Sequence, residues 1–185
     1  MRAFFCIPLG PEIAAAIGRI AASLRRATAV HARWVRTENY HVTLRFLGEI
    51  DPLLTVDLEQ AARRICAKRA PFGLPLDRIG AFPSIERARV LWVGGDAPEF
   101  LGLTSSLHRE LDRLGFPAER KSDLAHVTLA RIKDRPDRRL AEALFENTAD
   151  AGLAVVADRI ALMQSELTPS GAVYTPLFVT RFKGR

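Results

Sequence analysis

The tetrapeptide His41-Val42-Thr43-Leu44 occurs again as His126-Val127-Thr128-Leu129, 85 residues later, and Asp77-Arg78-Ile79 returns as Asp158-Arg159-Ile160, 81 residues later. A difference of a few residues between the two shifts is what loops of unequal length leave. The repeat is too long for a solenoid and occurs twice, so it reads as an internal duplication. Duplicated units pack about a pseudo-twofold axis, which is expected to bring the two His-Val-Thr-Leu segments to equivalent positions facing a shared cleft.

The order of apolar runs and helical periods agrees with this. Residues 2 to 8 read as a buried strand; 11 to 27 read as a helix with Pro11 at its start and Ile13, Ile17, Ile20 and Leu24 on one face. A strand over 40 to 47, a turn at Gly48 to Pro52, a helix over 54 to 69 and a strand over 72 to 82 complete the first half. The second half repeats the order: strand 88 to 94, helix 98 to 114 closed by Gly115, strand 124 to 131, helix 137 to 147, strand 153 to 163, then a final strand over 172 to 180. The expectation is one domain spanning 1 to 185, an α+β fold of two pseudo-symmetric lobes.

A chain of 185 residues, 48% hydrophobic and 26% charged, can bury a core without disulfides or metal staples, which excludes disordered and fibrous classes. The net charge of +6 favours a polyanionic partner, and 23 of the 27 basic residues are arginine, whose planar fork matches phosphate. Cys6 and Cys66 sit in apolar surroundings with no C-x-x-C spacing, as buried hydrophobes in a reducing cytoplasm do. The N-terminal stretch has neither a signal-peptide pattern nor a membrane span, so no membrane association is expected.

Side chains alternate along a strand, so His41 and Thr43 face one side while Tyr40, Val42 and Leu44 face the other; His126 and Thr128 likewise oppose Val127 and Leu129. Each half therefore presents one imidazole and one hydroxyl to a common surface. Two imidazoles across a cleft can pass a proton from an attacking water and return one to a departing oxygen, and their reference pKa of about 6.5 suits both tasks. Threonine hydroxyls can hold non-bridging phosphate oxygens, and a nearby arginine can stabilise the charge that builds on phosphorus. Neither metal nor cofactor is then required. No H-E-x-x-H or H-x-H spacing accompanies the histidines, and Asp123 is the only near acid.

With these motifs the chain resembles the 2H phosphoesterase superfamily, and within it the RNA 2′,3′-cyclic phosphodiesterases once called 2′-5′ RNA ligases. The resemblance runs from the opening Arg2 to Leu9 through Glu38 to Gly48, Ala81-Phe82-Pro83-Ser84, Arg89-Val90-Leu91-Trp92 and His126 to Arg131, and ends at Ser165 to Tyr174. It implies a two-lobed fold with antiparallel sheets, outer helices and a central active-site cleft. It also implies hydrolysis of a terminal 2′,3′-cyclic phosphate to a 2′-phosphate, with His41 protonating the leaving 3′ oxygen and His126 activating water. The residues alone yield the pair without assigning these roles, because the halves are nearly symmetric. The family often has proline before its second motif, where this chain has Ala125. Arg131 corresponds to the family's phosphate-binding arginine, yet strict alternation puts it opposite His126 and Thr128. It reaches the cleft where the strand ends or bulges near Ala130.

Tyr174 and Phe46 can stack on a base, although an aromatic on an apolar strand is more often core. Tyr174 is carried forward with Thr43, Thr128 and Arg131 as a substrate contact. His31 and His108 lack a partner at motif spacing and are expected in solvent. The substrates expected are RNA 3′ ends or small nucleotides carrying a 2′,3′-cyclic phosphate, acted on by a monomer. Two other functions compete. Ligation forming a 2′-5′ bond would run the same chemistry backwards without ATP, since Lys121-Ser122-Asp123-Leu124 lacks the glycine of K-x-D-G. A module that only binds RNA ends would tolerate loss of a histidine, whereas both are present.

Overall fold

A computed structural model describes residues 1–117, 124–134, 136, 138–148, 152–169 and 171–184. Among these, ten strands and four helices follow in the order β1 (Arg2–Pro8), α1 (Pro11–Ala27), β2 (Ala32–Trp34), β3 (His41–Glu49), α2 (Thr55–Cys66), β4 (Phe72–Leu76), β5 (Arg78–Phe82), β6 (Val90–Gly95), α3 (Pro98–Arg113), β7 (Ala125–Ile132), α4 (Arg138–Thr148), β8 (Leu153–Ala157), β9 (Arg159–Thr168) and β10 (Gly171–Arg181).

Eight strands form one antiparallel sheet in the order β10-β9-β1-β3-β7-β6-β5, with β2 also paired to β7; β4 and β8 form a separate pair. From β9 to β5 the order is symmetric about the contact between β3 and β7, where Val42 lies opposite Val127, and β10 adds one further strand outside β9. Outward from that point run β1 and β9 on one side and β6 and β5 on the other. In β4 and β8, Leu74 lies opposite Val155, again residues separated by the repeat. These two strand pairs are each centred on counterpart residues, so the pseudo-twofold passes through both. The fold is α+β and two-lobed, as expected.

The lobes are not the two halves of the chain. β5 leaves the first half to pair with β6, and β9 leaves the second to pair with β1. The helices cross over in the same way, α1 packing with α4 and α2 with α3. The long strands expected over 72 to 82 and 153 to 163 are each divided, at Asp77 and at Asp158, where the chain passes from the small sheet to the large one. The repeated Asp-Arg-Ile marks this transfer. At the second copy Asp158 and Arg159 form an adjacent ion pair with Oδ1 2.6 Å from Nε, which holds the Asp158 carboxyl below the usual carboxylate range.

Helix α1 starts where it does because Pro11 occupies the first turn, and its ends suit the macrodipole, with Glu12 first and Arg25 and Arg26 last. Its apolar stripe buries Ile17, Ile20 and Leu24, while Ile13 stays partly covered. The main core lies between the helices and the sheet and takes Phe5, Ile7, Val42, Leu44, Val93, Val127 and Leu129 from the inner strands. On the other sheet face Phe4, Cys6 and Ala161 form a smaller cluster with Met163 and Tyr174. Among the described residues no helix is long and apolar enough to cross a membrane.

Both cysteines are buried and unpaired. Burial pushes each thiol up to about 12, at Cys66 against the opposing pull of Arg69. Thiolate is the reactive form, so neither residue is expected to react with a disulfide reagent at pH 8 until the protein unfolds, when both should. Rapid titration of one thiol in the native protein would contradict this packing.

Candidate active site

His41 opens β3 and His126 is the second residue of β7. The antiparallel register that sets Val42 against Val127 sets His41 beside Thr128 and Thr43 beside His126, all on the face away from the main core. Each imidazole is held alike. His41 Nδ1 lies 2.7 Å from the Asn39 carbonyl oxygen, and His126 Nδ1 lies 2.9 Å from that of Leu124, in both cases two residues back. A carbonyl only accepts, so Nδ1 must carry the hydrogen and donate it, which leaves Nε2 to exchange protons. The Asn39 carbonyl is set by a short 3-10 turn over Thr37–Asn39, and the Asn39 amide donates to the Ala172 carbonyl at 2.8 Å.

Aromatic rings wall each histidine. His41 lies 4.8 Å from Phe4 and 5.4 Å from Tyr174, centroid to centroid; His126 lies 5.0 Å from Phe82 and 6.4 Å from Trp92. Trp92 in turn covers Gly80, where a Cβ would come within 2.4 Å of its ring. Such walls restrict the tilt of each imidazole ring. Phe4, Phe82 and Trp92 lie in segments that carry the family resemblance, but as apolar strand residues they give no sign in the sequence that they wall the histidines.

Both strands bulge at the same place. Opposite β1 the register skips Leu44, and opposite β6 it skips Leu129, counterpart residues of the repeat. The extra residue reverses the alternation, so the next side chains on the cleft face are Phe46 and Arg131. The conditional expectation for Arg131 is met by this bulge. Phe46 is 46% exposed in the cleft and is therefore not core. Its strand neighbour Arg45 turns inward instead and donates to the Pro117 carbonyl.

A cavity of about 490 Å³ is lined by His41, Thr43, His126, Thr128, Arg131 and Tyr174, so all six candidate residues meet in one place. Asn39, Phe46 and Phe82 also line it, and it extends past Leu44 and Leu124 to Phe100, Thr104 and His108 of α3. His108 thus differs from expectation: it is half-buried in the cavity wall, because α3 packs over β3 and turns its Thr104-His108 flank towards the opening. His31 does lie in solvent, 3.3 Å from Asp134. Burial raises the Tyr174 hydroxyl above the usual phenol range, while the charges of Arg131, Arg2 and Arg33 pull it down. Asp123, the acid nearest to the second motif, lies outside the described residues.

The sequence profile of the family described as LigT like Phosphoesterase matches residues 7–92 and 96–174 of this chain. The chain belongs to the LigT-like phosphoesterase family. Among its relatives is the RNA 2′,3′-cyclic phosphodiesterase of Methanothermobacter thermautotrophicus, 33% identical over 98% of both chains. The protein of the same name from Thermotoga maritima is 31% identical over 100% of this chain and 97% of its own. Among solved structures, a Thermus thermophilus protein superposes with a TM-score of 0.83 at 29% identity, covering 100% of this chain and 99% of its own. Escherichia coli LigT complexed with 3′-AMP superposes with a TM-score of 0.75 at 25% identity, covering 98% and 97%.

Proposed function

We propose that this LigT-like chain hydrolyses the 2′,3′-cyclic phosphate at an RNA end to a 2′-phosphate, using His41 and His126 as acid and base without a metal or cofactor. The observation that carries the reading is the equivalent seating of two imidazoles, each anchored through Nδ1 to a carbonyl, in one cavity with two threonines and an arginine. His126 Nε2 takes a proton from water as its oxygen bonds to phosphorus; the bond from phosphorus to O3′ breaks, and His41 returns a proton to that oxygen. The product carries a 2′-phosphate and a free 3′-hydroxyl. Thr43 and Thr128 hold non-bridging oxygens, Arg131 offsets the charge on the five-coordinate phosphorus, and Tyr174 with Phe46 offers faces for the terminal base.

The relatives' name as RNA 2′,3′-cyclic phosphodiesterases supports the substrate class, and the LigT structures with 3′-AMP, NADP+ and phosphate support a nucleotide site. Every proposed group comes from one chain, so a monomer suffices, and two unpaired cysteines suit a cytoplasmic setting. The test is an oligoribonucleotide ending in 2′,3′-cyclic phosphate, incubated in EDTA and followed by phosphorus NMR. Steady conversion to the 2′-phosphate is expected. A 3′-phosphate product, or no turnover, would refute the reading.

A further inference from the structure

Arg33 of β2 lies directly opposite Arg131 of β7. Residues so paired share a sheet face with their Cβ atoms about 5 Å apart, and like charges in that position destabilise the pair unless something offsets them. Both side chains are exposed, and among the described residues no carboxylate lies within ion-pair distance of either. Arg131 lines the cavity, whereas Arg33 stands beyond it at the lip. The Arg33 guanidinium also approaches the turn between β9 and β10, since a Cβ on Gly171 would lie 3.4 Å from its Nη2. It therefore spans from one lobe to the other at the Tyr174 end of the cleft. Two adjacent unneutralised guanidinium groups, one inside and one outside, match an anion with charge at two successive positions.

We propose that Arg33 binds a second phosphate of the substrate, the phosphodiester on the 5′ side of the terminal nucleotide, while Arg131 holds the reacting phosphoryl group. The chain then selects RNA ends over nucleoside 2′,3′-cyclic monophosphates. This rests on the cyclic phosphodiesterase reading for the identity of the reacting group.

The experiment compares kcat/KM for a diribonucleotide ending in 2′,3′-cyclic phosphate with that for the matching nucleoside 2′,3′-cyclic monophosphate, in the wild type and in Arg33→Gln. The ratio between the two substrates should fall by about tenfold in Arg33→Gln, through KM for the dinucleotide, as expected for one charge-assisted contact. The slope of log KM for the dinucleotide against log salt should flatten by about 0.7, the value for one phosphate contact on a single strand. Arg33→Lys keeps the charge and should restore the slope and part of the ratio, which a merely structural role for Arg33 would not predict. An unchanged ratio and slope in Arg33→Gln overturns the proposal. If the wild type turns over neither substrate, the hydrolytic reading is what fails. The second site is then decided by fluorescence anisotropy with a labelled diribonucleotide 2′-phosphate, where equal affinity and equal salt slope in the wild type and Arg33→Gln overturn it.

Discussion

Alanine at His41 or at His126 is expected to lower kcat on a cyclic-phosphate RNA end by about 10² to 10⁴, or roughly 3 to 5.5 kcal/mol of transition-state stabilisation. The loss should fall on kcat more than on KM, because a proton in flight is bound only in the transition state. Both imidazoles take part in the same step, so the double replacement should cost much less than the product of the two single losses. The pH profile carries a further signature. A bell-shaped curve reports one group needed deprotonated and one needed protonated. Removing His126 should abolish the acidic limb if it is the base, and removing His41 the basic limb if it is the acid. This is the measurement that assigns the two roles, which the near-symmetry of their surroundings leaves equal: each Nδ1 donates to a carbonyl two residues back, and each ring lies between two aromatics. Full activity in either variant, with circular dichroism unchanged, would remove that residue from the mechanism.

Local pattern carried much of this site. Alternation within His41 to Leu44 and His126 to Leu129 is a property of any strand, so it predicted which side chains share a face. Repetition supplied what alternation lacks, the pairing of two distant segments, and Val42 opposite Val127 is its structural form. The parts missed are those that local pattern does not encode. Period-two alternation is the same whichever sheet a strand enters, so it carries no trace of the exchange of β5 and β9 between lobes or of the breaks at Asp77 and Asp158. A bulge is one residue with no side-chain signature of its own, so alternation alone reads Phe46 as core and does not place its counterpart Arg131 in the cleft. β2 spans three residues, too few for a period to emerge, yet it sets Arg33 beside Arg131. His108 depended on helix packing over β3, which sequence spacing on α3 alone does not contain.

Gly94→Ala should be the most damaging single-methyl change near the site. Gly94 lies opposite His126 where β6 pairs with β7. A Cβ there would sit 2.2 Å from the Ala125 carbonyl oxygen and 3.0 Å from the His126 Cα and Cβ. The obstacle is mostly backbone, so no rotamer change can relieve it, and β6 and β7 must move apart. The expected cost is about 3 kcal/mol, seen as a Tm lower by roughly 6 to 12 °C for a chain of this size. Activity should fall further than stability alone explains. Displacing β7 moves His126 relative to the Leu124 carbonyl that anchors it and relative to His41 across the cleft, and a shift of about 1 Å between reacting groups can cost on the order of 10²-fold. Gly73→Ala is the matched control: Gly73 is exposed in β4, a Cβ there meets nothing within 4 Å, and its Tm and kcat should stay close to wild type. Differential scanning calorimetry and single-turnover rates on the two variants separate the effects. A Gly94→Ala protein with wild-type Tm and wild-type rate would mean that the close approach of β6 to β7 does not position His126.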